Sequence, residues 1–133
     1  MRLCAGLNVP LELIEPFGFP WNERKIRESA MDYFDHVTLQ RHASWEAFRQ
    51  NFSESRVVLL TTKSDLPYTN FRFRESDILL LGRESAGVPA EIHAQIPDRV
   101  TIPMAPAIRS FNVAMAGAIV LSEALRQISC QAE

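Results

Sequence analysis

Cysteine is scarce in this chain: two among 133 residues, Cys4 and Cys130, near opposite ends. That excludes the disulfide framework of a small secreted domain and points to a thiol-bearing cytoplasmic protein. Histidine is scarce too. His36, His42 and His93 are scattered without the paired spacing of a metal site, so no metal is expected. No apolar run approaches the ~20 residues of a membrane-spanning helix, so no membrane association is expected. Positive charge is not in excess. The 14 Lys and Arg face 16 Asp and Glu, a net charge of −2. This argues against broad, non-specific nucleic-acid binding and leaves room for a local basic patch. Met1-Arg2-Leu3-Cys4-Ala5 begins like structure, without the charged lead into an apolar stretch that marks a secretory leader. Repeats, low-complexity tracts and linkers are missing as well, so residues 1–133 are expected to form a single domain.

What is present is ordinary in bulk, 47% apolar and 23% charged, with enough chain to bury a core. The pattern is more telling. Residues 77–127 organise the chain. Asp77-Ile78-Leu79-Leu80-Leu81 is apolar without alternation, as in a parallel strand buried on both faces. Gly82 ends it, and Gly87 permits a second sharp bend before Val88-Pro89. A short amphipathic segment follows, then the strand candidate Val100-Thr101-Ile102-Pro103-Met104. Arg109-Ser110-Phe111-Asn112-Val113 opens a long apolar helix. Upstream, residues 2–8 read as the end of a helix and residues 10–15 as a strand closed by Pro16 and Gly18. Asn22 caps a helix over residues 23–33, and residues 37–39 form a short strand. Ser44 caps a further helix beginning Trp45-Glu46-Ala47-Phe48, and residues 56–62 are a second buried strand ahead of Lys63. Residues 64–76 read as loop, with room for a short strand at its end. Strands alternating with helices predict an α/β domain with a mostly parallel sheet flanked by helices. Ligands in such sheets bind at the carboxyl ends of the strands.

The last helix departs from a simple amphipathic pattern. From Phe111 to Leu121 it has almost no polar residue, and Ala114, Ala116, Gly117 and Ala118 are small. A helix apolar all round must be covered all round. In so short a chain the second cover is expected to be another copy, giving a homodimer through the C-terminal helix. A core helix buried within one chain is the alternative.

An ordered set of motifs gives a sharper reading. Arg2-Leu3-Cys4-Ala5 is followed by Ile14-Glu15-Pro16-Phe17-Gly18-Phe19 and Asp32-Tyr33. Next come Leu60-Thr61-Thr62-Lys63, then Gly82-x-Glu84-x-x-Gly87-Val88-Pro89. The series closes with Ile102-Pro103-Met104 and Arg109-Ser110-Phe111-Asn112. With these residues in this order the chain resembles the SPOUT superfamily of RNA methyltransferases over nearly its whole length. Within it, the chain looks most like the tRNA (cytidine/uridine-34) 2′-O-methyltransferases, which modify the wobble ribose. The resemblance implies an α/β fold with a C-terminal deep trefoil knot, a feature that composition cannot show because true knots are rare. It also implies S-adenosylmethionine as cofactor, a tRNA partner, a homodimer and a cytoplasmic location. Family members carry a strand and an Asn-Gly-containing turn before the arginine that matches Arg2. This chain starts inside the following helix. That implies a misassigned start, a truncation or a lost strand, with a catalytically silent cofactor- or RNA-binding dimer as one outcome.

Residue by residue, the resemblance places Leu60, Gly82, Ile102 and Ser110 at cofactor contacts, with Met104 close by. Read without it, Leu60 and Ile102 are core residues, Gly82 is a turn and Ser110 a helix cap. Arg2 matches the arginine at the reacting ribose. Because arginine keeps its proton, with a pKa above ~12, its role is to orient ribose and phosphate and to stabilise developing alkoxide charge. The alternative is a solvated terminal residue. Glu84, Gly87 and Asn112 support the motif loops. Phosphate contacts are expected from Arg109, Lys63 and Arg41, the last together with His42; Arg24, Lys25 and Arg27 are further candidates. Ribosomal RNA is the rival substrate.

Overall fold

In the computed structural model, the described residues are 4, 6, 7, 9–15, 24, 28, 38–82, 88–105 and 112–131. They fall in two compact units, Met1–Ser53 and Glu54–Glu133.

In the first unit, Cys4 and Gly6 are helical and Leu7 lies in a turn, as the sequence predicts for residues 2–8. Strand β1, Leu11–Ile14, falls inside the expected 10–15. It pairs in parallel with β2, Leu39–His42, in the register Leu11 opposite Leu39 and Ile14 opposite His42. The sequence places that second strand at residues 37–39. It runs further because the polar Gln40-Arg41-His42 hydrogen-bonds along β1, and a polar tripeptide carries no apolar pattern to betray a strand. Arg24 and Glu28 are helical and face each other one turn apart at 3.4 Å. Helix α1, Trp45–Asn51, starts where expected. The Ser44 hydroxyl accepts the Ala47 N–H at 3.1 Å, satisfying one of the helix's open donors. Trp45 and Phe48 turn inward from it.

The second unit holds a three-stranded parallel sheet in the order β4-β3-β5. Strand β3 is Val57–Leu60, β4 is Ile78–Leu80 and β5 is Asp98–Val100. The expected loop over 64–76 contains a 3₁₀ turn, Tyr68–Asn70. No strand forms at its end; near its start Pro67 makes an isolated bridge to Thr101. Helix α2, Ala90–Gln95, is the short amphipathic segment. Strand β5 begins two residues before the predicted Val100. Asp98 and Arg99 are charged and read as loop, yet Arg99 is accommodated because its Nε donates to the Ile96 carbonyl and its Nη2 to the His93 carbonyl, each at 2.8 Å.

Helix α3, Val113–Gln131, closes the unit. The core joins Val58, Val100 and Ile102 to Phe73 and to Val120 and Ala124 of α3, with Ala116 and Ile119 packed against them. Their helical spacing puts one face of α3 on the sheet. Val58, Val100 and Val120 are fully buried, worth about 1.5–3 kcal/mol each. Gln127 pins the end of α3. It accepts the Phe73 N–H at 2.9 Å and donates to the Phe71 carbonyl at 2.9 Å. The other face is open, with Met115 57% exposed. The expectation that no apolar run nears a membrane span is corrected here. Val113–Cys130, with a mean hydropathy of 1.3, is long and apolar enough by length and composition. A helix packed on a sheet can meet the same criterion, and Val120 and Ala124 of α3 pack against the sheet.

Candidate active site

Parallel strands end on one edge, and the second unit's sheet brings three predicted positions to that edge. Leu60 is the last residue of β3, level with Val100 of β5. Gly82 follows β4 by two residues, and Ile102 follows β5 by two. Leu60, Gly82 and Met104 are half-buried, while Ile102 is 9% exposed. The ladder runs through Leu60, since the Thr61 N–H donates to the Val100 carbonyl at 2.9 Å, and Thr101 continues the pairing with Leu66 and Tyr68. Beyond this point β3 is followed by the polar Thr61, Thr62 and Lys63. Leu60 and Ile102 also belong to the core or border it.

Asn112 stands at the start of α3. Its Oδ1 accepts the N–H groups of Ala114 at 2.9 Å and Met115 at 3.3 Å, and its carbonyl accepts the Ala116 N–H at 2.8 Å. That is an N-cap, so the cap role that sequence offered Ser110 falls to Asn112, two residues on. Arg2, Glu84, Gly87, Arg109 and Ser110 lie outside the described residues, as do Lys25 and Arg27.

Among the expected phosphate contacts, Lys63 is exposed just past β3. Arg41, in the first unit, is ion-paired with Glu15, so a phosphate there would compete with a carboxylate. His42 corrects the sequence reading that grouped it with Arg41. It is 3% exposed and its Nε2 lies 3.4 Å from the Glu12 carboxylate. Its ring stands edge-on to Phe48, with centroids 5.3 Å apart. It is a core residue, and an aromatic pocket beside a carboxylate leaves no opening for an RNA phosphate. Arg24 is fully exposed and pairs with Glu28, a contact worth about 0.3–0.5 kcal/mol.

Sequence reasoning missed His93. It lies in the last turn of α2, with its Nε2 3.4 Å from the Thr61 hydroxyl. Burial first, then the nearby positive charges of Arg99 and Lys63, lower its pKa below the ordinary imidazole value. The ring is therefore neutral at pH 7. The residues that meet here are separated by some thirty positions in the chain, which no local motif reveals. Among the described residues, no group of three or more His, Cys, Asp or Glu is placed to hold a metal ion.

Known proteins resemble this chain over most of its length. A profile described as the SpoU rRNA Methylase family matches residues 1–122. The tRNA (cytidine(34)-2′-O)-methyltransferase of Beijerinckia indica subsp. indica is 54% identical over 135 aligned residues, spanning 100% of this chain and 84% of the relative. The enzyme of the same name from Escherichia coli K12 is 35% identical, over 96% of this chain and 83% of the relative. Among solved structures, one described as giving structural insights into the 2-OH methylation of C/U34 on tRNA superposes with a TM-score of 0.89. It is 37% identical and covers 97% of this chain and 85% of its own. The SpoU methyltransferase AviRb of Streptomyces viridochromogenes, in complex with AdoMet, has a TM-score of 0.80. At 23% identity, over 95% of this chain and 50% of its own, it shares the fold.

Proposed function

This chain belongs to the SpoU rRNA Methylase family, and we propose that it transfers a methyl group from S-adenosylmethionine to the ribose 2′-hydroxyl of the wobble nucleotide, cytidine or uridine 34, of a tRNA. One observation carries the reading. The relatives matched over nearly the whole chain are named for this reaction, and the sheet gathers Leu60, Gly82 and Ile102 on one edge.

The residues at that edge fit the cofactor. Leu60 and Ile102 present apolar surface for an adenine, and Gly82 lets the backbone come close. Met104 and Ser110 complete the set. When bound, S-adenosylmethionine supplies an electrophilic methyl group on a sulfonium. Arg2 orients the ribose so that the hydroxyl approaches in line, and its fixed positive charge stabilises the negative charge growing on the 2′-oxygen. Lys63 and Arg109 contact the RNA phosphates, with Arg41 a weaker contributor because of Glu15. Glu84, Gly87 and Asn112 support the loops and the helix start.

The same reading includes the threaded C-terminal segment of a trefoil knot, a single domain made of both units, and a homodimer through α3. The family profile spans both units, which supports the single domain. The open face of α3 around Met115 supports the dimer. A tRNA substrate sets the protein in the cytoplasm. Ribosomal RNA is the second reading, favoured by the description of the family profile itself. Nucleotide-resolution mapping of ribose methylation in a deletion strain separates the two: loss at position 34 of a tRNA supports the first, and loss at a ribosomal position the second.

A further inference from the structure

We propose that His93 and Lys63 together form a phosphate-binding subsite for the RNA substrate at the carboxyl edge of β3. The inference rests on reading the protein as an RNA methyltransferase and names a contact that makes its substrate binding depend on pH.

The subsite is built around Thr61, the residue after the candidate cofactor contact Leu60. Its hydroxyl accepts the Lys63 N–H at 3.1 Å and lies 3.4 Å from His93 Nε2. The tautomer of His93 sets which of the hydroxyl and Nε2 donates across that contact. His93 is fixed from behind. Its carbonyl accepts Arg99 Nη2 at 2.8 Å, and Arg99 Nε grips the Ile96 carbonyl at 2.8 Å, so β5 ties down the end of α2. Lys63 is exposed, and its charge reaches the His93 ring.

Charge identifies the ligand. Lys63 and Arg99 bring two fixed positive charges to His93. Among the described residues neither makes an ion pair with a carboxylate. Asp65, Glu91 and Asp98 are the acids nearest in the chain; Asp65 and Glu91 are exposed and form no ion pair among the described residues. A cluster of positive charge with no ion-paired carboxylate among the described residues, beside the candidate cofactor contact Leu60, fits an RNA phosphodiester. The proton balance follows. In the free protein the two cations and burial keep the imidazole neutral. A phosphate oxygen offsets those cations and favours the imidazolium, so RNA binding takes up a proton on His93. Affinity therefore rises as pH falls towards 6.

The test uses the full chain and the tRNA that it methylates. Binding is measured across salt concentration and between pH 8 and pH 6, with S-adenosylmethionine affinity followed by calorimetry as a check on folding. Wild type should gain on the order of tenfold in tRNA affinity over that range. His93→Gln should lose most of that gain. Lys63→Gln should weaken binding at all pH values and flatten the salt dependence by about one counterion, while Lys63→Arg restores it. Neither variant should change S-adenosylmethionine affinity. If Lys63→Gln keeps the wild-type salt slope, or His93→Gln the wild-type pH dependence, while the wild type methylates tRNA, the subsite is wrong and the functional reading stands. If the wild type neither binds nor methylates tRNA, the functional reading fails, and the subsite with it.

Discussion

Arg56 and Asp77 are locked together by two hydrogen bonds, Nε to Oδ1 at 2.7 Å and Nη2 to Oδ2 at 2.6 Å. The pair joins the residue before β3 to the residue before β4, at the opposite end of the sheet from the candidate site. The Asp77 side chain is 6% exposed and also accepts the Arg74 N–H at 2.8 Å. Arg56 donates to the Arg72 carbonyl and lies 4.7 Å over the Phe71 ring. Asp77→Ala leaves the guanidinium without its partner and opens the Arg74 turn. We expect a loss of about 3 kcal/mol of stability, read from the urea midpoint. A loss under ~1 kcal/mol would mean that the pair behaves like an ordinary surface contact.

His93 makes stability depend on pH. Its folded pKa is lowered by burial and by Arg99 and Lys63. The unfolded chain then binds protons first as pH falls, so the contribution of the neutral ring is complete above the ordinary imidazole value of about 6.5 and is lost as pH drops through the folded value. Between pH 7 and pH 5 the thermal midpoint should fall less in His93→Gln than in the wild type. Parallel curves would show that the ring does not titrate differently on folding.

Gly82 tests the cofactor edge. It is half-buried just past β4, where a β-branched side chain would occupy the space that the proposed adenosyl group needs. Gly82→Val should weaken S-adenosylmethionine binding at least ~10-fold, or about 1.4 kcal/mol, in calorimetry. Unchanged affinity would remove Gly82 from the pocket.

The open face of α3 tests the dimer. Met115 is 57% exposed on it. Met115→Glu would bury a charge in any interface built there, costing several kcal/mol unless paired. Sedimentation should show the wild type as a dimer and the variant shifted towards monomer. A wild type that sediments as a monomer at micromolar concentration contradicts the proposed assembly.

Strands β3 and β4 were legible because they carry continuous apolar sequence, β3 largely buried and β4 half-buried. Val57–Leu60 and Ile78–Leu80 are unbroken apolar runs, as in a parallel strand. The cap at Ser44 was legible because a hydroxyl before an apolar helix has a local purpose. What escaped was polar residues doing work set by distant partners. Gln40 and Arg41 became strand because β1 supplied a ladder, and Asp98 and Arg99 because carbonyls of α2 took up the guanidinium. His42 read as a phosphate contact because sequence could not see Glu12 and Phe48 closing over it. His93 read as incidental because Thr61 lies far away in the chain. At the site, the positions Leu60, Gly82 and Ile102 came from ordered motifs, while their shared edge follows from the parallel order β4-β3-β5.

The central claim is methyl transfer to the wobble ribose. The most direct measurement incubates the full chain with S-adenosylmethionine labelled in its methyl group and with unmodified tRNA, then maps the label by nuclease digestion and mass spectrometry. The account predicts label on the 2′-oxygen of nucleotide 34, on cytidine or uridine. Label on a base, at another tRNA position, or only on ribosomal RNA supplied in parallel would contradict it.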